Sequence, residues 1–203
     1  ASGERLILRV AQLFYVRAIA GLGTNAYAAH QIALRIESMS LVIGFSFGAA
    51  ATTLVGQYLG YGDPKKAEEV VFRCEKLAAV AMGCAGALLF IAAPNIVRVF
   101  IPDNPEVTQL GATVLRIVAV AQPMAGVSHV LSGGLRGAGD TAWVMYITGG
   151  SAWLVRLVLT YLLVTVAGLH LPGAWYAMVA DLTVRSILFG RRFRSEKWKD
   201  IEV

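Results

Sequence analysis

Charged residues are scarce in this sequence. Asp, Glu, Lys and Arg make up 15% of its 203 residues, against about 25% in a typical soluble domain. Hydrophobic residues make up 57%, and the mean hydropathy is +0.62. The chain therefore lacks the polar surface that a water-soluble domain of this length needs, and a soluble fold is excluded.

Cysteine and histidine are also few, with two and three copies. Cys74 and Cys84 are ten residues apart on one predicted helix, so they lie about 15 Å apart, too far for a disulfide. No His-Glu-x-x-His, Gly-x-Ser-x-Gly or Walker sequence occurs. We therefore expect no metal site and no bound cofactor, and an energy source other than ATP.

Long uncharged runs are abundant instead. A helix needs about 20 mostly apolar residues to cross a bilayer. Four runs meet that length, and a fifth is broken only by Arg17: residues 38–62, 77–97, 117–135, 157–180 and 10–34. These runs predict an integral membrane protein in contact with the lipid bilayer.

Gly, Pro, Asn and Asp divide the chain into six predicted helices. The predicted spans lie near residues 4–22, 26–60, 64–100, 105–133, 141–167 and 173–190, followed by a basic cytoplasmic tail over 191–203. Asp63 and Asn104 each stand before a proline and are predicted N-caps. Gly-x-Gly-Asp occurs twice, ending at Asp63 and Asp140, and predicts a repeated turn in which glycine closes one helix and aspartate caps the next.

The distribution of basic residues predicts the orientation. If the N-terminus is cytoplasmic, twelve Lys and Arg lie on the inner side and one, Arg98, on the outer side. The inner set is Arg5, Arg9, Lys65, Lys66, Arg73, Lys76, Arg136, Arg191, Arg192, Arg194, Lys197 and Lys199. We therefore expect a multi-pass protein of the inner (plasma) membrane with both ends cytoplasmic. Basic residues that flank apolar runs do not form a phosphate-binding face, so nucleic acid is not an expected partner despite the net charge of +5.

Two segments resemble a known transporter family. They are AYAAHQIALRIESMSLVIGFSFGAAATTLVGQYLGYGDPKKAEE at 26–69 and QPMAGVSHVLSGGLRGAGDT at 122–141. Both are similar to the second half of multidrug and toxic compound extrusion (MATE) transporters. The resemblance implies an antiporter of twelve helices in two six-helix lobes, which expels small organic, often cationic, compounds against Na⁺ or H⁺. This chain would be the C-terminal lobe, partnered by an N-terminal lobe, and its start at Ala1-Ser2-Gly3 is then expected of a fragment.

The resemblance also suggests a subtype. NorM-like members carry acidic coupling residues at positions that correspond here to Leu8 and Ala125, neither of which can bind a cation or a proton. The RIES and QPMA sequences resemble the DinF-like branch, in which an aspartate of the N-terminal lobe is implicated in coupling. We therefore expect the coupling ion to bind mainly outside this sequence.

Ionisable residues inside a membrane are expensive and usually face a cavity or a partner. Arg156 lies about 24 Å from the inner turn at Asp140, and Asp181 about 12 Å from the outer turn at Gly173. In a slab of about 35 Å these depths coincide on consecutive antiparallel helices, which predicts a pair. The candidates for a substrate or ion pathway are Arg156, Asp181, Arg185, Arg116, Gln122 and Glu37.

Simpler interpretations stand beside these candidates. The Asp181 group could only brace two helices, and Gln122-Pro123 could mark a static kink. Glu37 and Arg17 are placed near the outer interface, where they could pair or snorkel, and His30 is placed at the outer turn.

Two other functional classes are open at this point. A lipid-linked oligosaccharide flippase of the same superfamily would use cavity arginines, for which Arg17, Arg116 and Arg156 are available. An intramembrane aspartyl protease is suggested only by Gly-x-Gly-Asp, and Asp63 precedes Pro64-Lys65-Lys66 in a predicted water-exposed turn. We therefore expect a transporter and not an enzyme.

Overall fold

The computed structural model describes residues 2–199, without the side chains of residues 2–8 and Ala11. Every regular element in that part of the chain is helical, as predicted. The helices are α1 (Ser2–Ala20), α2 (Thr24–Gly60), α3 (Pro64–Phe100), α4 (Pro105–Gly137), α5 (Thr141–Val166) and α6 (His170–Arg194). By length and apolar composition alone, α2, α3, α4 and α5 are sufficient to cross a membrane.

Helix α5 is not a regular α-helix. It contains two π-helical segments, Ala152–Leu157 and Tyr161–Val166, joined by one short α-helical stretch. A π segment widens the helix and redirects its side chains, and such segments are frequent at functional sites. Arg156 lies in the first one.

The two Gly-x-Gly-Asp turns have the same backbone geometry. Gly62 and Gly139 adopt left-handed φ angles of 73° and 79°, and the amides of Asp63 and Asp140 each donate to the carbonyl five residues earlier at 2.9 Å. This is the glycine-closed helix end that the sequence predicts.

The prediction for the two aspartates holds at one turn only. Asp63 caps α3 by accepting from the Lys66 amide at 3.0 Å, and Asn104 caps α4 in the same way at 3.1 Å. Asp140 makes no capping bond. It accepts instead from Nε of Arg192 on α6 at 2.7 Å, so its predicted N-cap role is wrong.

Helix α4 lies at the centre of the lobe, against α2, α3 and α6. Its small residues allow close approach, since Gly133 lies on the backbone of Gly48 and Gly137 on the backbone of Thr52. The Thr52 hydroxyl donates to the Gly133 carbonyl at 2.9 Å. Small residues and hydroxyl hydrogen bonds are the usual means of joining helices in lipid, where apolar burial adds little.

The described part of the predicted tail over 191–203 packs on the rest of the chain. Residues 191–194 continue α6, and the rest of the described tail folds back on the lobe. Trp198 is fully buried, stacks on Phe193 at 4.8 Å and donates to its carbonyl at 2.7 Å. Lys199 bonds Glu68 at the start of α3 at 2.6 Å. Burial of the Trp198 ring holds this basic segment against the helices.

Candidate functional site

A cluster of charged side chains lies inside the lobe around Asp181, which is completely buried. One carboxylate oxygen, Oδ2, lies 2.8 Å from a terminal nitrogen of Arg156 and 2.8 Å from one of Arg185. The pairing predicted from helix rise is therefore confirmed. Because Asp181 faces two arginines, the three residues together carry one net positive charge.

The remaining oxygen of Asp181 is also occupied. Oδ1 accepts from Nε of Arg185 at 2.9 Å and from the Ser151 hydroxyl. Arg185 follows Asp181 by one helical turn, the spacing at which side chains on a helix meet. Ser151 comes from α5, just before its first π segment. The cluster thus ties α5 to α6 through the Asp181 carboxylate.

Helix α1 contributes an aromatic residue to the same cluster. The Arg156 guanidinium lies 5.9 Å from the centroid of the Tyr15 ring, within the range of a cation–π contact. The Tyr15 hydroxyl donates to the carbonyl of Ala174 on α6 at 3.1 Å. The sequence did not predict a role for Tyr15, because a single tyrosine in an apolar run gives no indication of the residues that it contacts.

Glu37 belongs to this cluster and not to the outer interface, so that placement is wrong. It lies thirteen residues into α2, about 20 Å from its start. Its side chain is buried and within electrostatic range of Arg156 and Tyr15. Arg17, its suggested partner, is exposed.

Gln122 on α4 forms a second buried polar group with Ser40, which lies about one helical turn beyond Glu37 on α2. Its side-chain oxygen accepts from the Ser40 hydroxyl at 3.2 Å, and Ser40 also donates to the Glu37 carbonyl at 2.8 Å. The Gln122 amide nitrogen has no partner among the described residues. Polar groups thus continue from the Arg156 cluster to α4 beside Pro123.

Among the six candidates, Arg116 is the one that lies away from the buried cluster. It is exposed on α4, donates to the Phe90 carbonyl at 3.3 Å and lies 6.0 Å from the Phe90 ring centroid. It borders an open groove of about 470 Å³ between α3, α4 and α6. Of the six predicted candidates, five are therefore connected inside the lobe and one lies on its surface.

His30 was expected among the polar groups of the outer turn, and the structure buries its side chain. It is fully buried, between the rings of Tyr15 and Trp175, each 5.7 Å away. It is not part of a metal site, since the described residues contain no group of three His, Cys, Asp or Glu able to hold an ion. Ala125 is buried in α4, and the Leu8 side chain lies outside the described part.

An all-helical fold with apolar outer faces and buried, ion-paired charges is typical of a multi-pass membrane protein. A family model described as MatE matches residues 1–162, and the chain belongs to the MATE family. Members of this family are transporters, which sets aside the protease interpretation.

One curated relative is a probable multidrug resistance protein NorM of Thermotoga maritima. It is 31% identical over 196 residues, which are 97% of this chain and 42% of that protein. The chain thus spans about two fifths of the relative it matches. The predicted assignment to the DinF-like branch stays a prediction.

Two solved structures share the fold. A transporter of the MOP superfamily from Pyrococcus furiosus superposes with a TM-score of 0.89 at 18% identity, over 98% of this chain and 43% of that one. A multidrug resistance MATE family transporter in an inward-facing conformation gives 0.87 at 20% identity, over 98% and 47%. The six helices therefore have the fold of a segment that makes up less than half of each of these two chains.

Proposed function

We propose that this chain is the C-terminal lobe of a twelve-helix secondary active transporter that extrudes small organic, often cationic, compounds in exchange for Na⁺ or H⁺. The proposal is carried by the length of the match: nearly all of this chain aligns with only 42% of a multidrug resistance relative. An N-terminal lobe of similar size would complete the central cavity. The transporter would lie in the plasma membrane with both ends of this lobe cytoplasmic.

The positions and partners of three arginines favour drug efflux over the flipping of an anionic oligosaccharide. A flippase cavity for an anionic substrate needs arginines free to face it. Here Arg17 is exposed near the end of α1, Arg116 lies on the surface groove, and Arg156 is paired with Asp181. The name of the relative supports the same choice.

The test is drug resistance in a bacterial strain that lacks its own efflux pumps. The full-length transporter should raise the minimum inhibitory concentration of several cationic dyes and drugs. Everted vesicles should accumulate dye under an imposed Na⁺ or H⁺ gradient, and comparing the two gradients identifies the ion. Unchanged resistance together with gradient-independent dye distribution, in a transporter shown to be folded in the membrane, would refute the proposal.

A further inference from the structure

Two surface grooves meet at Arg116, on the side of the fold formed by α3, α4 and α6. One has a volume of about 470 Å³ and is lined, apart from Arg116 and Thr113, by apolar and aromatic side chains such as Phe90 and Val120. The other has a volume of about 350 Å³, lies between the end of α3 and the start of α4, and is lined by Arg98 as well as Arg116. The two share Arg116 and Thr113, so they form one groove with a charged half and an apolar half, which we call the Arg116 groove.

Arg116 is held in place by a carbonyl group that a proline leaves unpaired. Pro94 lies inside α3 and has no N–H, so the carbonyl of Phe90, four residues earlier, lacks its usual helical partner. Nε of Arg116 donates to that carbonyl at 3.3 Å, and the guanidinium lies 6.0 Å from the centroid of the Phe90 ring. The terminal nitrogens of Arg116 form no hydrogen bond or ion pair with any described residue. The guanidinium is therefore positioned by the protein and still has donors available.

The length of α4 places Arg116 close to the level of the lipid headgroups. With 33 residues, α4 is about 50 Å long, whereas the hydrocarbon core of a bilayer is about 30 Å thick. If the excess is shared equally, each end of α4 projects about 10 Å beyond the core. Arg116 lies about 16 Å from the start of α4 at Pro105, hence about 6 Å inside the core, a depth from which an arginine side chain reaches the interface. Arg98, at the end of α3, lies on the headgroup side of the same boundary.

The Arg116 groove carries positive charge. Its lining contains Arg98 and Arg116 and neither Asp nor Glu. In the described part of the chain, Asp103 forms no ion pair with either arginine, and Glu106 accepts a hydrogen bond from Asn25 at 2.7 Å and lines a different pocket. A charged side chain at membrane depth normally has a partner of opposite sign. The two arginines thus leave a place for a negatively charged group between them.

The apolar half of the groove is open to the surroundings of the chain. Phe90, Val120 and Tyr176 are 47%, 70% and 49% exposed, respectively. The N-terminal lobe of the proposed transporter would connect through α1, and α1 packs against α2 and α5, away from the groove. We therefore expect the groove to face the bilayer.

We propose that the Arg116 groove is a binding site for an anionic phospholipid. The phosphate lies between Arg98 and Arg116, and one acyl chain follows the apolar half along Val120. A zwitterionic headgroup fits less well, because its amine would bring a second positive charge to the same two guanidinium groups. Since the extruded compound is expected to be cationic, this site is separate from its path.

Lipid binding to the purified full-length transporter in detergent tests this site. Phosphatidylglycerol, or phosphatidylcholine with the same acyl chains, is titrated while the thermal unfolding midpoint is followed. The wild-type midpoint should rise saturably with phosphatidylglycerol and much less with phosphatidylcholine. Arg98→Gln should raise the half-saturating concentration of phosphatidylglycerol about fivefold, the effect of one basic residue at an anionic surface. Val120→Trp, which fills the apolar half, should raise it at least about tenfold by excluding an acyl chain.

Arg116→Gln should weaken binding by at least the same factor as Arg98→Gln. Because it also removes the hydrogen bond to the Phe90 carbonyl, each variant is compared with its own lipid-free midpoint. Arg98 forms no hydrogen bond or ion pair with a described residue, so Arg98→Gln keeps the test available if Arg116→Gln does not fold.

The matched control is Arg17→Gln. Arg17 is exposed near the end of α1 and does not line the groove, so this variant makes the same change in charge at a different place. It should bind phosphatidylglycerol like the wild type.

Four results would each overturn the site. The first is no saturable shift with phosphatidylglycerol, as expected if the N-terminal lobe or a second copy covers the groove. The second is an equal shift with both lipids, and the third is equal weakening by Arg17→Gln and Arg98→Gln, which would indicate general charge attraction only. The fourth is a shift with glycerol 3-phosphate as large as with the lipid, which would indicate a site for soluble anions. Because the readout is lipid binding and not transport, failure here leaves the efflux proposal standing.

Discussion

Asp63 and Asp140 close two turns of the same backbone geometry, yet their carboxylates have different partners. Asp63 accepts from the amide of Lys66 and caps α3, whereas Asp140 is 3% exposed and bonds Arg192 at 2.7 Å. The Arg192 guanidinium also lies 4.8 Å from the centroid of the Trp143 ring. One turn is therefore a local helix cap, and the other fastens the C-terminal end of α6 to the start of α5.

This difference predicts that the same substitution, Asp to Asn, has different effects on stability at the two positions. Asp140→Asn should destabilise the transporter by about 1.5–3 kcal/mol, the value of a hydrogen bond between charged groups. Asp63→Asn should change little, because asparagine caps a helix as well as aspartate does. Thermal unfolding in detergent measures both. Equal midpoints for the two variants would show that the bond between Asp140 and Arg192 contributes nothing.

Asp181→Ala should be the most damaging single change in the cluster. It leaves both Arg156 and Arg185 buried without their carboxylate, and breaking a buried pair costs about 3–5 kcal/mol. Expression and the unfolding midpoint should both fall. Replacing Arg156 and Asp181 together by apolar residues of similar size should recover only part of the loss, because Arg185 remains unpaired.

A double-mutant cycle tests whether Arg156 and Asp181 interact. A drug-efflux assay then tests whether the pair has only a structural role or also acts in transport. Additive effects of Asp181→Ala and Arg156→Ala on stability would refute the interaction. If the double apolar variant folds and still extrudes drug, the pair is a brace between α5 and α6. If it folds but does not transport, the pair lies on the substrate or gating path.

Gly133→Ala should disrupt the packing of α4 on α2. A Cβ at this position meets the backbone of Gly48, which cannot move without shifting the helix. Overpacking of this kind costs about 1–3 kcal/mol. Gly150→Ala is the control, since its added Cβ has nothing within 4 Å. The prediction fails if the two variants unfold at the same temperature.

Trp198→Ala should release the C-terminal segment from the lobe. Loss of a fully buried tryptophan costs about 3–5 kcal/mol, and the bond between Lys199 and Glu68 should weaken with it. Limited trypsin digestion from the cytoplasmic side should then cut faster after Arg194 and Lys197. Lys197→Ala, at an exposed neighbouring position, should leave cleavage after Arg194 at the wild-type rate. Unchanged cleavage in Trp198→Ala would show that the segment is held by other contacts.

The predicted topology can be tested by single-cysteine labelling in a background with Cys74 and Cys84 replaced. Positions 66 and 194 are exposed in the structure and predicted to be cytoplasmic. An impermeant reagent applied to intact cells should label position 103, at an exposed outer turn, and miss both of them. Labelling of position 66 or 194 from outside would reverse or reject the topology.

The fold class and the division into six helices follow from local features of the residues. These features are local: apolar runs of a set length, glycines with left-handed φ angles, and caps before proline each act within a few residues. The sequence also determined the pair of Arg156 with Asp181, because helix rise converts residue number into depth and an unpaired charge is costly in lipid.

Which polar residues share a site depends on how the helices pack, and the sequence did not predict it. His30 is buried between Tyr15 of α1 and Trp175 of α6, and Glu37 lies within electrostatic range of Arg156 of α5. The residues next to His30 and Glu37 in the chain give no indication of these neighbours. Asp140 does not cap its helix because Arg192, 52 residues later, reaches its carboxylate. In each case the partner comes from another helix, and the contact depends on helix rotation and packing, which residue spacing along one helix does not specify.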